Sequence, residues 1–325
     1  MTRRQDLSLQ PTAIVCSARR IAAAVVVILG AVMALPPAAD ARVVHRERSL
    51  YSTIIVDRQG PVICMQFSVR RDQRNQSCLN ERRPREMLFP YTRMMMTSLL
   101  VKPAPRRALT IGLGGGTLPL ALDELYPELV QDVVEIDPAV TQVARDWFGF
   151  KPSDRVRVIE QDGRVFAKRA RTQRARTERA RTKDALYDLI LLDAFNGDYI
   201  PEHLMTREFL EEIRDLLAPG GVVVANTFSI SRLYDAESAT YAAVFGDFLN
   251  LKPWDSGNRV IIATNGALPD GKTLAERAAL LGPSLKPYGI RLDELLPVMK
   301  RERDWPADAT VLTDQYAPAN LLQTQ

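Results

Sequence analysis

The stretch ALTIGLGGGTLPLALDEL, residues 108–125, decides the fold. An apolar run of β-type residues leads into a glycine-rich turn, which is followed by a segment with helical spacing. Glycines in such a turn let the backbone bend tightly and approach a ligand closely. The order strand, glycine turn, helix predicts the first unit of a nucleotide-binding domain, although nicotinamide, flavin and adenosyl-sulfonium binders all share it.

The sequence after this stretch continues in the same way. Apolar β-type runs alternate with helical patterns, the runs being ALTIGLG, DVVEID, RVRVIE, YDLILLD, GVVVANT and RVIIATN. This alternation predicts an α/β fold with a Rossmann-like, mostly parallel sheet and helices on both of its faces. A ligand is then expected in the crevice outside the carboxyl ends of the strands.

Acidic residues follow three of these strands. Glu135 ends the second strand, about twenty residues after the glycines, Asp162 follows the third, and Asp193 follows the fourth. A carboxylate at the tip of the second strand accepts both hydroxyls of a ribose and disfavours a 2′-phosphate. Acids at three successive tips match adenosyl-sulfonium binding better than dinucleotide binding, although any single one could be a helix N-cap.

Residues 42–100 have a different pattern. The runs YSTIIV and PVICMQF are β-like, and a helical segment with apolar residues at i, i+3 and i+4 follows them. Its methionine-rich stripe is interpreted as helix core. Two prolines in KPAP, residues 102–105, break both kinds of element. The sequence therefore predicts a small N-terminal β domain with a linking helix over residues 42–100, and a Rossmann-like catalytic domain over residues 101–325.

Residues 1–41 have the three parts of a secretory signal peptide. Four arginines precede the apolar run IAAAVVVILGAVMAL, and the small-residue pattern Ala39-Asp40-Ala41 follows it. The alternative is an uncleaved membrane anchor. Export to the periplasm or medium is expected, with a cytoplasmic location as the alternative. A mature chain would keep Cys64 and Cys78, which either form a disulfide in an oxidising compartment or remain two buried thiols.

Residues 164–183 form an arginine-rich insert. It contains three copies of a five-residue unit, RARTQ-RARTE-RARTK, and carries nine Lys or Arg against one Glu, in a chain whose net charge is +4. Basic runs bind nucleic acid or anionic membranes, but this one has no aromatic residue for base stacking. It is interpreted as a solvated helical extension, and no nucleic-acid partner is expected.

Composition excludes further classes of protein. The chain has 325 residues, of which 46% are hydrophobic and 25% charged, as in ordinary globular proteins. Its only histidines are His45 and His203, and its three cysteines cannot form a four-cysteine metal site. A zinc cage and a Ser-His-Asp triad are therefore not expected, and no metal is predicted.

Several blocks of the sequence resemble the spermidine synthase family of polyamine aminopropyltransferases, and most closely its divergent bacterial spermidine synthase-like branch. They span residues 50–325 except for the arginine repeat. The blocks are YSTIIV, QSCLNERRPREMLFPYTRMM, IGLGGGT, VVEIDPAV, QDGRVF, YDLILLDAFNGDYIPEHLMTREFL, SGNRVIIATN and a C-terminal VLTDQYAP.

The resemblance implies a site for decarboxylated S-adenosylmethionine and an amine acceptor. Glu135 would hold the ribose, Asp162 the adenine, and Asp193 would be the base that deprotonates the attacking amine. Tyr91 would orient that amine and close the acceptor pocket. The remaining residues of the implied donor site are Gly112, Gly114, Thr117 and Gly163.

The sequence departs from the family pattern at three positions. Thr117 stands where an aspartate usually binds the donor's aminopropyl ammonium, Asn196 where a second aspartate binds the distal acceptor amine, and Ser52 where a glutamine is usual. Each charge-assisted contact contributes about 1.5–3 kcal/mol. Asp198 is a candidate replacement for one of the lost carboxylates, so Asn196 and Asp198 are the predicted acceptor-binding residues.

The leading functional interpretation is a transferase that moves an aminopropyl group from decarboxylated S-adenosylmethionine to a putrescine-like amine. The first alternative is a methyltransferase using intact S-adenosylmethionine, because Thr117 no longer demands the decarboxylated donor. The second is an exported nucleotide- or polyamine-binding protein without catalysis. The expected partners are a small-molecule amine, a membrane in transient contact with the N-terminus, and, by family resemblance, a second copy of the chain in a homodimer.

Overall fold

The computed structural model of the chain describes residues 42–67, 75–176, 186–195, 200–253 and 257–317. The unit that starts at Ala41 contains two sheets. The signal peptide or anchor predicted for residues 1–41, part of the arginine repeat, and the predicted acceptor residues Asn196 and Asp198 lie outside the described residues. Within the described part of the chain, no helix combines the length and the apolar character needed to cross a bilayer.

The smaller sheet is a meander of four antiparallel strands. They are β1 (Arg42–Arg48), β2 (Thr53–Gln59), β3 (Val62–Phe67) and β4 (Asn75–Asn80). The alternation in TIIV and VICM turns Ile54, Val56, Ile63 and Met65 to one face, where they pack in one apolar cluster with Val140 and other residues of the next domain. The β-type pattern predicted for this region is therefore present as a sheet.

Cys64 and Cys78 form a disulfide between β3 and β4. The two residues are directly opposite each other in the strand register. Of the two interpretations that the sequence leaves open, the structure has the disulfide. The bond closes a loop between strands that are already paired, next to Gln76 and Ser77, which face the central cavity.

The larger sheet has eight strands in the order β12-β10-β11-β9-β8-β5-β6-β7. Five of them are parallel, and the other three pair antiparallel at one side. The strands are β5 (Arg107–Ile111), β6 (Val130–Glu135), β7 (Val156–Glu160), β8 (Tyr187–Leu192), β9 (Leu217–Phe228), β10 (Leu249–Leu251), β11 (Asn258–Thr264) and β12 (Met299–Lys300). This sheet confirms the predicted α/β, Rossmann-like fold.

Helices cover both faces of the larger sheet. They are α1 (Pro90–Met95), α2 (Thr117–Leu125), α3 (Pro138–Trp147), α4 (Gly163–Arg176), α5 (Arg207–Leu216), α6 (Tyr234–Phe245), α7 (Gly271–Leu285) and α8 (Leu292–Leu295). In β8, Leu189 and Leu191 join the apolar core that includes α1, α2 and α7, whereas Ile190 and Leu192 join the core that includes α4, α5 and α6. Both faces of this strand are buried, which explains its continuous apolar sequence.

The methionine-rich segment forms α1 and continues as a 3₁₀ turn over Met96–Leu100. Its helix begins at Pro90, because proline fits the first turn of a helix. Met87 therefore lies before the helix. Met94, Met95 and Leu99 are fully buried against the larger sheet. The stripe is core, as predicted, but it packs with the sheet of the second domain.

Candidate active site

The carboxyl ends of β5, β6, β7 and β8 open into one cavity of about 530 Å³. Residues of β3, β4 and α1 close it from the other side. The eight predicted site residues within the described ranges all line this cavity: Tyr91, Gly112, Gly114, Thr117, Glu135, Asp162, Gly163 and Asp193. The strand pattern therefore brings together side chains that are far apart in the sequence, while their individual roles stay predictions.

The glycine turn fits between two strands. Gly112 has φ +96°, and a Cβ at this position would lie 2.3 Å from the backbone oxygen of Asp193. The Gly112 amide donates to Val134 O at 2.8 Å, and the Asp193 amide donates to Ile111 O at 2.8 Å. Only glycine fits this conformation and this distance, so Gly112 allows Asp193 to approach the start of the turn.

Glu135 lies at the floor of the cavity and is 8% exposed. Its Oε2 accepts from the Leu113 amide at 2.9 Å, and its Oε1 accepts from the Asp137 amide at 3.0 Å. Burial raises the pKa of this carboxyl, although the backbone amides of Asp137 and Leu113 oppose the rise. Each carboxylate oxygen has two lone pairs, so both oxygens can still accept from a ribose.

Asp162 precedes α4 and is held by two donors. The Val165 amide donates to Oδ1 at 2.9 Å, as in a helix N-cap, and His203 Nε2 lies 2.8 Å from Oδ2. Partial burial opposes ionisation, but the hydrogen bonds from Val165 and His203 outweigh it and lower the pKa of Asp162. Asp162 is therefore an ionised acceptor at the cavity wall and a cap for α4.

Asp193 is buried where β8 ends. Asn226 Nδ2, on β9, donates to its Oδ1 at 2.9 Å, and the Tyr91 hydroxyl also donates to the carboxylate. Burial raises the pKa of Asp193 to about 7, although both hydrogen bonds lower it. Burial also raises the pKa of Tyr91, which is thus a neutral donor. Asp193 is suited to take up and release a proton near neutral pH.

Asp137 caps α3 through its Oδ1, which accepts from the Ala139 amide at 3.0 Å. Its Oδ2 accepts from Ser49 Oγ at 2.6 Å, which connects α3 to the loop before β2. That loop brings Tyr51 and Ser52 to the cavity. Of the three acids at strand tips, Asp162 is thus also a helix cap, and after β6 the cap is Asp137 and not Glu135.

The cavity is strongly acidic. Five carboxylates line it: Glu135, Asp137, Asp162, Asp193 and Glu202. Among the described lining residues there is no lysine or arginine. A cationic ligand such as a sulfonium or an ammonium is favoured in such a site, because each carboxylate stabilises positive charge at short range. The described residues contain no group of three or more His, Cys, Asp or Glu side chains arranged to hold a metal ion.

Sequence reasoning missed two residues of the site. Asn226 hydrogen-bonds the candidate base, and His203 contacts Asp162 while lining the cavity. Asn226 lies near the end of the buried strand β9. The sequence signal that could have identified it is a polar residue within the apolar run GVVVANT. For His203 the sequence signal is its position in the segment PEHLM, which follows β8. From composition alone, this histidine is considered only as a metal ligand or as a member of a catalytic triad.

Comparisons with known proteins place the chain beside polyamine aminopropyltransferases. A model of the spermine/spermidine synthase domain matches residues 88–244. The polyamine aminopropyltransferase of Vibrio vulnificus is 48% identical over 283 residues, which cover 86% of this chain and 91% of that protein.

Solved structures show the same fold. A probable spermidine synthase from Corynebacterium glutamicum has a TM-score of 0.60 at 19% identity, covering 83% of this chain and 99% of the other. Human methyltransferase-like protein 13 in complex with SAH has a TM-score of 0.53 at 24% identity, covering 68% of this chain and 96% of the other. At these identities the likeness shows the fold alone.

Proposed function

Since the chain belongs to the spermidine synthase family of polyamine aminopropyltransferases, we propose that its cavity binds decarboxylated S-adenosylmethionine and transfers the aminopropyl group to a small amine of the putrescine type. The observation that carries this proposal is Asp193, a buried carboxyl with a pKa of about 7 in a cavity lined by four further acids. The enzyme is a transferase. The identity of its acceptor amine is part of the proposal.

The nucleoside half of the donor fits the edge of the larger sheet. Glu135 would accept from the ribose hydroxyls and Asp162 from the adenine amino group, while Gly112 and Gly114 let the backbone approach the nucleoside. Both carboxylates are already oriented by backbone amides, so little reorganisation is needed on binding. The close approach of Gly112 to the Asp193 backbone supports a position of this half beside Asp193.

The reaction needs a neutral amine. An ammonium has no lone pair for attack, so ionised Asp193 would first take a proton from the acceptor nitrogen. The nitrogen would then form a bond to the propyl carbon attached to sulfur, the carbon–sulfur bond would break, and its electron pair would leave on sulfur. The products are the aminopropylated amine and neutral methylthioadenosine. A raised pKa makes Asp193 a stronger base than an exposed aspartate.

The test is a product assay on the full chain with putrescine and decarboxylated S-adenosylmethionine. Methylthioadenosine is expected from the parent protein, and Asp193→Asn should lower its rate of formation by about 10²- to 10⁴-fold. Asp188→Asn is the matched control, because Asp188 lies near the start of β8, the strand that Asp193 follows, is outside the cavity and pairs with Lys102 at 2.9 Å. Failure of the parent to form product from this donor and from intact S-adenosylmethionine would overturn the assignment for putrescine, and would favour another acceptor or the exported, non-catalytic binding protein.

Thr117 supports one alternative. It lines the cavity at the start of α2, where the family pattern has a carboxylate for the donor's ammonium. Intact S-adenosylmethionine, which carries its own carboxylate at this end, would meet less repulsion beside Thr117. A parallel assay with intact donor should give S-adenosylhomocysteine if methyl transfer is the reaction. Thr117→Asp should lower the KM for decarboxylated donor, with Thr117→Asn as the uncharged control.

We also propose that the chain is exported or anchored through residues 1–41. The disulfide between Cys64 and Cys78 supports this, because such bonds persist mainly in oxidising compartments. Fractionation of cells that express the full chain should find it in the periplasm or membrane, whereas a chain starting at Arg42 should remain in the cytosol. An exported transferase further requires a supply of its adenosyl donor outside the cytosol, and cytosolic recovery of the full chain would overturn the export proposal.

A further inference from the structure

The C-terminal segment 311–316, within the VLTDQYAP block, packs behind one wall of the cavity. That wall is the turn Glu202–Leu204, whose three residues line the cavity. Leu312 is fully buried in one apolar cluster with Ile200 and Met205, which flank the turn on either side. The segment is thus in contact with both ends of the wall without reaching the cavity itself.

Arg164 connects this segment to the wall. Its guanidinium donates to both carboxylate oxygens of Asp314, at 2.5 and 2.7 Å, and to both oxygens of Glu212 on α5, at 3.2 and 3.3 Å. It also donates to the backbone oxygen of His203 at 3.2 Å. One buried cation therefore joins the start of α4, helix α5, the C-terminal segment and the wall.

The wall is held from its cavity side as well. His203 Nε2 lies 2.8 Å from Oδ2 of Asp162, the residue two before Arg164 at the start of α4. Thr206, which follows the wall and caps α5, donates its hydroxyl to Asp314 Oδ1 at 2.7 Å. Loss of Asp314 would therefore remove one partner from Arg164 and one from Thr206, and the position of His203 relative to Asp162 would be less restricted.

We propose that Asp314 and Arg164 are positioning residues for nucleoside binding. They hold the turn Glu202–Leu204 against Asp162, so that the adenine end of the cavity is formed before the ligand enters. This inference rests on the proposed function, because it takes the adenosine part of the donor as the ligand between Asp162 and the wall. It gives a role to the VLTDQYAP block, which the reaction itself does not use.

The test is a calorimetric titration of the full chain with methylthioadenosine. Asp314→Asn should raise the dissociation constant about tenfold, because the pre-formed wall is lost. In the transferase assay the same variant should raise the KM for the donor while kcat stays within about twofold. Arg164→Lys is the second variant: it keeps the charge but cannot bridge Asp314, Glu212 and the His203 backbone at once, so the same shift is expected.

The matched control is Asp215→Asn. Asp215 also links α5 to α4, through Arg171 at 2.9 Å, and its side chain is 39% exposed against 41% for Asp314, but it does not line the cavity or contact the wall. The dissociation constant of Asp215→Asn for methylthioadenosine should equal that of the parent. Thermal unfolding should show that every variant is folded.

Equal affinity of Asp314→Asn and the parent would overturn the inference alone. The same weakening in Asp215→Asn would also overturn it, because any loosened helix contact would then suffice. No binding of methylthioadenosine by the parent protein would overturn the proposed function as well.

Discussion

Burial of Asp193, the proposed base, destabilises the folded chain when its carboxyl is ionised. Its pKa of about 7 in the folded chain lies above the ordinary value of 3.8, because burial disfavours the charged form. Between these two pH values the folded state binds the proton and the unfolded state does not, so stability decreases as the pH rises and levels off above about 7.

We expect Asp193→Asn to be more stable than the parent chain at alkaline pH. The gain should be near zero below pH 4 and reach roughly 4 kcal/mol at most above pH 7, because the pKa of Asp193 rises from 3.8 to about 7 on folding. Urea unfolding of both proteins at pH 4.5 and pH 8 measures it. A gain of the same size at both pH values would contradict the assigned ionisation.

Tyr91→Phe tests the hydrogen bond to the base. The Tyr91 hydroxyl lowers the pKa of Asp193, so its removal should raise that pKa further and move the acid limb of the kcat/KM profile to higher pH. A pH series of rates for parent and variant checks this. Tyr51→Phe is the control, since Tyr51 lines the cavity but is half exposed. An unshifted limb in Tyr91→Phe would show that Asp193 is not the titrating group.

At this scale, the sequence predicts residues whose position follows from local order. Glu135, Asp162 and Asp193 each end or follow a strand, and parallel strands bring such positions to one edge. Asn226 and His203 reach the site through tertiary pairing instead: β9 runs beside β8, and the turn after β8 folds back onto α4. Neither neighbour relation is encoded in a short stretch of sequence.

At the scale of elements, the turn between β5 and α2 depends on the approach of two backbones. Gly112→Ala should destabilise the chain by more than about 2 kcal/mol, since it adds a Cβ 2.3 Å from the Asp193 oxygen to the cost of positive φ. It should also reduce activity by displacing Asp193. Denaturant unfolding and the product assay measure the two effects.

The control for Gly112→Ala is Gly60→Ala, in the turn between β2 and β3. Gly60 has φ +58°, but a Cβ there would meet nothing within 4 Å. Its substitution should cost about 1 kcal/mol through the backbone alone and leave activity unchanged. Equal losses of stability in the two variants would mean that the clash between the added Cβ and the Asp193 oxygen does not contribute to the free energy of unfolding.

Strand existence was predictable, whereas strand direction was not. The run RVIIATN forms β11 as expected, but it pairs antiparallel with β9 and β10. A buried strand has the same apolar composition in either direction. The connection between β10 and β11 is short, which is sufficient for an antiparallel pair. A parallel pair would need a longer crossover connection.

At the scale of the whole molecule, the disulfide joins β3 to β4 within the small sheet, whose residues close one side of the cavity. Replacing Cys64 and Cys78 by serine should lower the free energy of unfolding by about 3 kcal/mol, because the bond closes a loop between residues 14 apart. Reducing agent should lower the denaturation midpoint of the parent chain towards that of the double variant, and leave the variant unchanged. An equal midpoint with and without reductant would show that the bond adds no stability.

The wall behind the adenine end has a consequence for synthesis. Every described residue that lines the cavity has left the ribosome once Leu204 has emerged, whereas Leu312 and Asp314, which brace the wall, emerge much later. The described residues that line the cavity are therefore all synthesised before these two residues that brace the wall. Tight capture of an adenosyl ligand should then begin only after translation has passed Asp314.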